Sequence, residues 1–150
     1  MRTSAAGSDK GFTLIELMVV VAIIAIASAG VSFAIRDSAA TQLEREAQRL
    51  AALFESARAQ SRSTGMPERW QATKDGFRFD GVAQGSLPGH WLTGTTRVQG
   101  SPTLVLGPEP IIGRQSVLLV STAQPERSQR VATDGLRPFA ATSGAGGNEP

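Results

Sequence analysis

Gly11-Phe12-Thr13-Leu14-Ile15-Glu16, followed by Leu17 to Ile35, is the stretch that decides how the chain is read. The nineteen residues from Leu17 to Ile35 carry no charge. At a rise of ~1.5 Å per residue they make a helix of roughly 28 Å, close to the ~30 Å hydrocarbon core of a bilayer. Counted from Phe12, the apolar segment has twenty-four residues and one interruption, Glu16. A carboxylate in a lipid-facing helix costs about 3 kcal/mol or more. Glu16 therefore calls for an interfacial position or a partner.

The eleven residues before this segment, Met1 to Gly11, form a short polar leader with Arg2 and Lys10, and Arg36 follows it. The order of basic leader, Gly-Phe-Thr-Leu-Ile-Glu and apolar helix resembles the N-terminus of type IV pilins and type II secretion pseudopilins. The match runs from Lys10 to Glu16. The resemblance implies that a membrane-embedded prepilin peptidase cuts after Gly11 and N-methylates the new first residue, Phe12. It also implies that Glu16 pairs with the Phe12 ammonium of a neighbouring subunit in a helical fibre. Such pairing would offset part of the desolvation of each charge and fix the axial register between subunits. Arg2 and Lys10 favour a cytoplasmic leader, and Arg36 weakens that asymmetry; the resemblance decides it, implying a cytoplasmic leader and a C-terminal domain on the periplasmic side of a bacterial inner membrane. Two other readings stay open. In a secretory signal peptide, residues 2–10 would be the basic region and Ala27-Ser28-Ala29 the cleavage site. Glu16 and the continued apolar run through Ile35 count against it. The other is a plain single-span anchor.

At 150 residues, a span and one small domain are all that fit. The net charge is +2, and Ser63 to Pro150 holds eight basic and seven acidic residues, no footprint for nucleic acid. There is no cysteine, which excludes disulfides, thiolate nucleophiles and cysteine metal sites.

Beyond Ile35 the helix is expected to continue to Thr64, since no Pro or Gly interrupts Val31 to Thr64 and good helix formers dominate. Leu43, Ala47, Leu50, Phe54 and Ala57 recur at alternating steps of four and three, one apolar stripe that needs a cover, and Leu53 widens it. Glu46 with Arg49, and Glu55 with Arg58, read as exposed pairs three residues apart on the outer face. Gly65 and Pro67 end the helix.

From Pro67 on, the pattern is β-rich, with six to eight short strands. Arg69–Ala72 and Phe77–Phe79 form a hairpin around Asp75-Gly76. His90–Leu92, Thr95–Val98 and Leu104–Leu106 read as short strands. Ser116–Ser121 is apolar on both faces and so central. Gln129–Thr133 and Leu136–Ala140 pair around Asp134-Gly135, with Pro138 on an edge. The Gly- and Ala-rich tail, 142–150, is expected to be disordered. The fold class is thus α+β: leader 1–11, transmembrane helix 12–35, amphipathic helix 36–64, and a pilin-like β-rich domain over 65–141 packed on the helix.

No catalytic constellation, P-loop or calcium loop is present, so no cofactor or metal is expected and the chain reads as a non-enzyme. His90 is the sole histidine, which excludes a histidine zinc triad. Arg127, Arg130 and Arg137 fall within eleven residues and form a candidate polar contact patch; Glu126 and Asp134 interleave, and nucleic acid is not an expected partner. Leu106-Gly107-Pro108-Glu109-Pro110-Ile111-Ile112, the strand after it, and Ala132–Phe139 are similar to the H-type minor pseudopilin of type II secretion, as is Leu43–Leu50. That resemblance implies a subunit near the tip of a periplasmic fibre. Its partners would be other major and minor pseudopilins, the prepilin peptidase, the inner-membrane assembly platform and membrane lipid. The alternative is a minor pilin of a type IV pilus, touching DNA through the arginines.

Overall fold

The computed structural model describes residues 12–81 and 85–144, with the backbone alone at 32–37. One helix, α1 (Leu14–Thr64), precedes seven strands: β1 (Glu68–Ala72), β2 (Phe77–Asp80), β3 (Thr96–Val98), β4 (Thr103–Gly107), β5 (Gln115–Ser121), β6 (Ser128–Thr133) and β7 (Ala140–Ser143). The chain divides into two compact units, residues 1–35 and 36–150.

In the first unit, α1 starts two residues later than the apolar run. Thr13 caps it: its Oγ1 accepts the Glu16 N–H at 3.3 Å, and its carbonyl accepts the Leu17 N–H at 3.2 Å. From Leu14 to Val31 the helix is long and apolar enough to cross a membrane, and none of its side chains is buried. Ser28, three residues before the end of that stretch, donates its hydroxyl to the Ile24 carbonyl at 2.8 Å, as a polar group in an apolar segment should.

In the second unit, α1 turns one face to a core. Leu43, Ala47, Leu50, Phe54 and Ala57 are buried, the stripe that the four-three spacing foretells; Ala51 is buried beside it, and Leu53 is half-buried. The helix stops at Thr64 because Gly65 takes a left-handed φ of 70°, its N–H bonded to the Ser61 carbonyl at 2.9 Å.

The strands make two antiparallel sheets, ordered β2-β1-β4 and β3-β5-β6-β7. One apolar cluster joins both sheets to α1, with Trp70, Leu104 and Leu106 from the first sheet and Val117, Leu119 and Val131 from the second. Phe54 is its hub. Its ring lies 5.3 Å from Trp70, 6.4 Å from Phe79 and 4.8 Å from Phe139, all edge-on. The open edge of β4 is closed by a side chain: the Gln115 amide accepts the Val105 N–H and donates to its carbonyl, both at 2.8 Å.

Five expectations are corrected. His90–Leu92 is no strand; only His90 bridges, to Gly76. Its backbone groups go to the helix instead. The Leu92 N–H donates to Glu46 Oε2, and the His90 carbonyl accepts from Arg49 Nη1, both at 3.0 Å. Leu136–Phe139 is likewise a loop, with Pro138 inside it rather than on an edge strand, because side chains take its amides. β5 is central, but only one face is buried: Val117, Leu119 and Ser121 point inward, while Leu118 and Val120 are half-buried. Thr142 and Ser143 belong to β7 rather than to a tail, because they extend the pairing with Arg130 and Gln129; residues 145–150 lie outside the described ones. Finally, the two Glu–Arg pairs do not face solvent. Glu46 and Arg58 are 1% and 4% exposed.

Phe54→Ala in the full chain in detergent should lower the unfolding free energy of the head by about 3–5 kcal/mol in a urea titration, since a ring is lost where three others meet.

Candidate functional site

The short stretch at the start of α1 is the first candidate. Thr13-Leu14-Ile15-Glu16 has the spelling of a capping box, and the structure shows one half of it, the Thr13 hydroxyl on the Glu16 amide. Glu16 therefore sits in the first helical turn, where unpaired N–H groups leave partial positive charge. Its residue and Phe12 are both exposed. Gly11 lies outside the described residues. Thr13 is the residue that sequence reasoning passed over. The signal was in the text, a threonine three positions before a glutamate at the head of an apolar run.

The three arginines are the second candidate, and they do not gather. Arg127 precedes β6, Arg130 stands at its exposed middle, and Arg137 lies in the β6–β7 loop beyond its far end. At ~3.3 Å per residue, the strand between the two outer arginines is roughly 20 Å long. Arg127 shares an open groove of ≈400 Å³ with Glu44 and Glu126, whose carboxylates disfavour an anionic ligand. Arg137 is already partnered, its Nε 3.7 Å from Asp134 Oδ2.

Asp134 organises the loop around Arg137. Its Oδ1 accepts the amides of Arg137 at 2.7 Å and of Leu136 at 2.9 Å. Thr133 Oγ1 donates to the Arg137 carbonyl and accepts the Gly135 amide. Those two backbone bonds, from Arg137 first and Leu136 second, hold the Asp134 carboxyl below its ordinary range. Gly135 takes a φ of 94° and packs on the Ile112 carbonyl, where a Cβ would collide. The loop hands Phe139 to the core and its amide to Glu55, 3.0 Å away.

The Glu55–Arg58 pair thus holds two loops. Glu55 accepts from Phe139, and Arg58 Nη2 donates to the Pro110 carbonyl at 3.4 Å. The pair itself closes at 3.3 Å. Glu46–Arg49, at 3.0 Å, holds the segment from His90 to Leu92 in the same way. One further acid is buried, Glu68 at the start of β1. It is fully covered, and neither carboxylate oxygen has a hydrogen-bond partner. Burial pushes its carboxyl above the ordinary glutamate value. Among the described residues no three His, Cys, Asp or Glu side chains come together as metal ligands.

Compared with known families, residues 7–32 match the family described as "Prokaryotic N-terminal methylation motif". Neither curated proteins nor solved structures give a significant match. The motif is prepilin-type and supports a place in the type IV pilin-like superfamily. It implies processing by a prepilin peptidase and assembly into a pilus-like fibre, with the apolar helix as the candidate membrane anchor.

A depressed carboxyl stabilises the folded loop above its unfolded value and loses that effect as pH falls through the folded value. Amide protection at Leu136 and Arg137 should therefore fall on acidification, read by hydrogen exchange against the intrinsic rate, and Asp134→Asn should flatten that dependence.

Proposed function

We propose that this chain is a structural minor subunit of the periplasmic pseudopilus of a type II protein secretion system, of the H type, near the fibre tip. The observation that carries the pilin-like part of this reading is the methylation motif over residues 7–32, followed in the chain by a β-rich head. The prepilin peptidase cuts between Gly11 and Phe12 and methylates the Phe12 amine. Residues 1–11 are then a leader that is removed. The helix holds the subunit in the inner membrane with its head in the periplasm until the fibre extracts it.

Glu16 sets the register against a neighbour's Phe12 ammonium. Its place in an exposed first turn supports this, because a partner on another subunit can reach it. The head binds other major and minor pseudopilins, and the assembly platform and lipid complete the partners. The work is structural on this reading, which the methylation motif supports. The secretion assignment rests on the stretches that are similar to the H type: Leu106–Ile112, the strand after it, Ala132–Phe139 and Leu43–Leu50. The first runs from the end of β4 into the β4–β5 connection and Ala132–Phe139 from the end of β6 into the β6–β7 loop, both tied to α1 through Glu55 and Arg58. The scatter of the three arginines favours this reading over a DNA-binding minor pilin.

Intact mass of the protein from membranes tests the processing, and should give a chain that starts at N-methylated Phe12. A start at Gly30 would leave a secreted domain and end the assignment. In the native host, Glu16→Val should keep processing and lose fibre incorporation, read by cross-linking to other pseudopilins. Deletion of the chain should strand exported proteins in the periplasm while pilus-dependent motility and DNA uptake persist. The opposite pattern would make it a type IV minor pilin.

A further inference from the structure

Glu68 opens β1, opposite Gly107 on β4, and a bulge follows it between Glu68 and Arg69. It shares the inward face of β1 with Trp70, and both are fully covered. Two glycines let its neighbours close in. A Cβ at Gly81 would meet the Pro67 carbonyl and the Glu68 Cα, and one at Gly107 would meet the Ser61 side chain from the last turn of α1 but one. Ser61 in turn donates to the Met66 carbonyl. The carboxyl is thus enclosed where the end of α1, the start of β1 and the end of β4 meet.

No cation waits for it there. On α1, Arg58 gives its two terminal nitrogens to Glu55 and to the Pro110 carbonyl, its buried Nε has no partner, and Arg62 is exposed. On β1, Arg69 is exposed on the opposite face. On β2, Asp80 pairs with Arg78 at 3.4 Å. β4 has no ionisable side chain, and Glu109 just beyond it is exposed. Among the described residues Glu68 forms no ion pair, and an enclosed carboxylate without one costs far more than the neutral acid.

We propose that Glu68 is a protonation-gated latch: as the neutral acid it seats the start of β1 on the end of α1, and its ionisation loosens that corner of the head. The sign follows from the burial. A carboxyl raised by burial contributes stability that is fully present below its unfolded value and is lost as pH rises through its folded value. The effect is local because β5, β6 and β7 share no backbone ladder with β1. The firmness of the α1–β1–β4 corner then follows the pH of the surrounding compartment, whatever fibre the subunit joins.

The test uses the full chain in detergent micelles, wild type and Glu68→Gln, from about pH 4 to about pH 8. Hydrogen exchange, corrected for the intrinsic rate, is followed in peptides covering residues 66–72 and 103–108. In the wild type, protection there should fall with rising pH, by about tenfold for each unit between the buried and the ordinary carboxyl. Protection in β5 and β6 should stay flat, and Glu68→Gln should be flat throughout. A carboxyl carbon titration of the wild type gives an independent readout, with a midpoint above that of an exposed glutamate. An ordinary midpoint, a flat wild-type profile, the same fall in the glutamine variant, or a fall across the whole head would each overturn the proposal.

Discussion

The head depends on one buried helical stripe, Leu43 to Ser61, which both sheets need as a floor. Both sheets put their buried apolar residues into the one cluster that this stripe anchors. The first has three strands of four or five residues, and the second has four strands of three to seven. Sheets this small bury little by themselves. The helix supplies what they lack, and Phe54 shows how. Its ring meets Trp70 from β1, Phe79 from β2 and Phe139 from the β6–β7 loop. Residues up to eighty-five positions apart in the chain thus share one contact centre. Fixing them costs conformational entropy that only the combined burial offsets.

Apolar burial does not orient loops, and the polar residues on the margins of the stripe do. A carboxylate offers several acceptor sites, and an arginine offers five directed donors. Placed three residues apart on a helix, each Glu–Arg pair neutralises itself and still has capacity left over. Glu46 and Arg49 spend it on Leu92 and His90, Glu55 and Arg58 on Phe139 and Pro110. A buried pair of this kind adds little net stability against an apolar replacement, but removing one partner strands the other charge. Its contribution is positional: three irregular segments acquire fixed places on a regular helix.

That mechanism separates what was legible in the sequence from what was not. The apolar run, the four-three stripe and the Asp-Gly hairpin between β1 and β2 rest on local periodicity and turn chemistry, and they are where expected. The segments His90–Leu92 and Leu136–Phe139 also carry the composition of strands. They are loops because their backbone groups are taken by side chains, two of them forty-six and eighty-four residues away. No local rule reads such a bond. β7 is the converse case: Ala140-Ala141-Thr142-Ser143 has no strong strand former but one threonine, and it pairs because β6 offers an open edge. Glu68 was illegible too, since an acid beginning a strand reads as exposed, and its burial depends on close approaches, such as Gly81 on the Pro67–Glu68 backbone and Gly107 on Ser61, that no local pattern spells out.

On the proposed membrane placement, the start of α1 obeys a different constraint, because it then has charge to place and little water to place it in. The first helical turn presents N–H groups without intrahelical partners, and Thr13 satisfies one of them. On the proposed processing, cleavage before Phe12 adds an ammonium to an end that is already positive from the helix dipole. A positive end inside an apolar layer is unfavourable by itself, and a carboxylate in the first turn offsets it whether the ammonium it faces is its own or a neighbour's. Glu16 stands where that offset is largest. The same carboxylate, placed a turn or more deeper, would face only lipid and apolar side chains. An acid at this position is therefore tolerated because the helix begins there, and Thr13 is what makes it begin there.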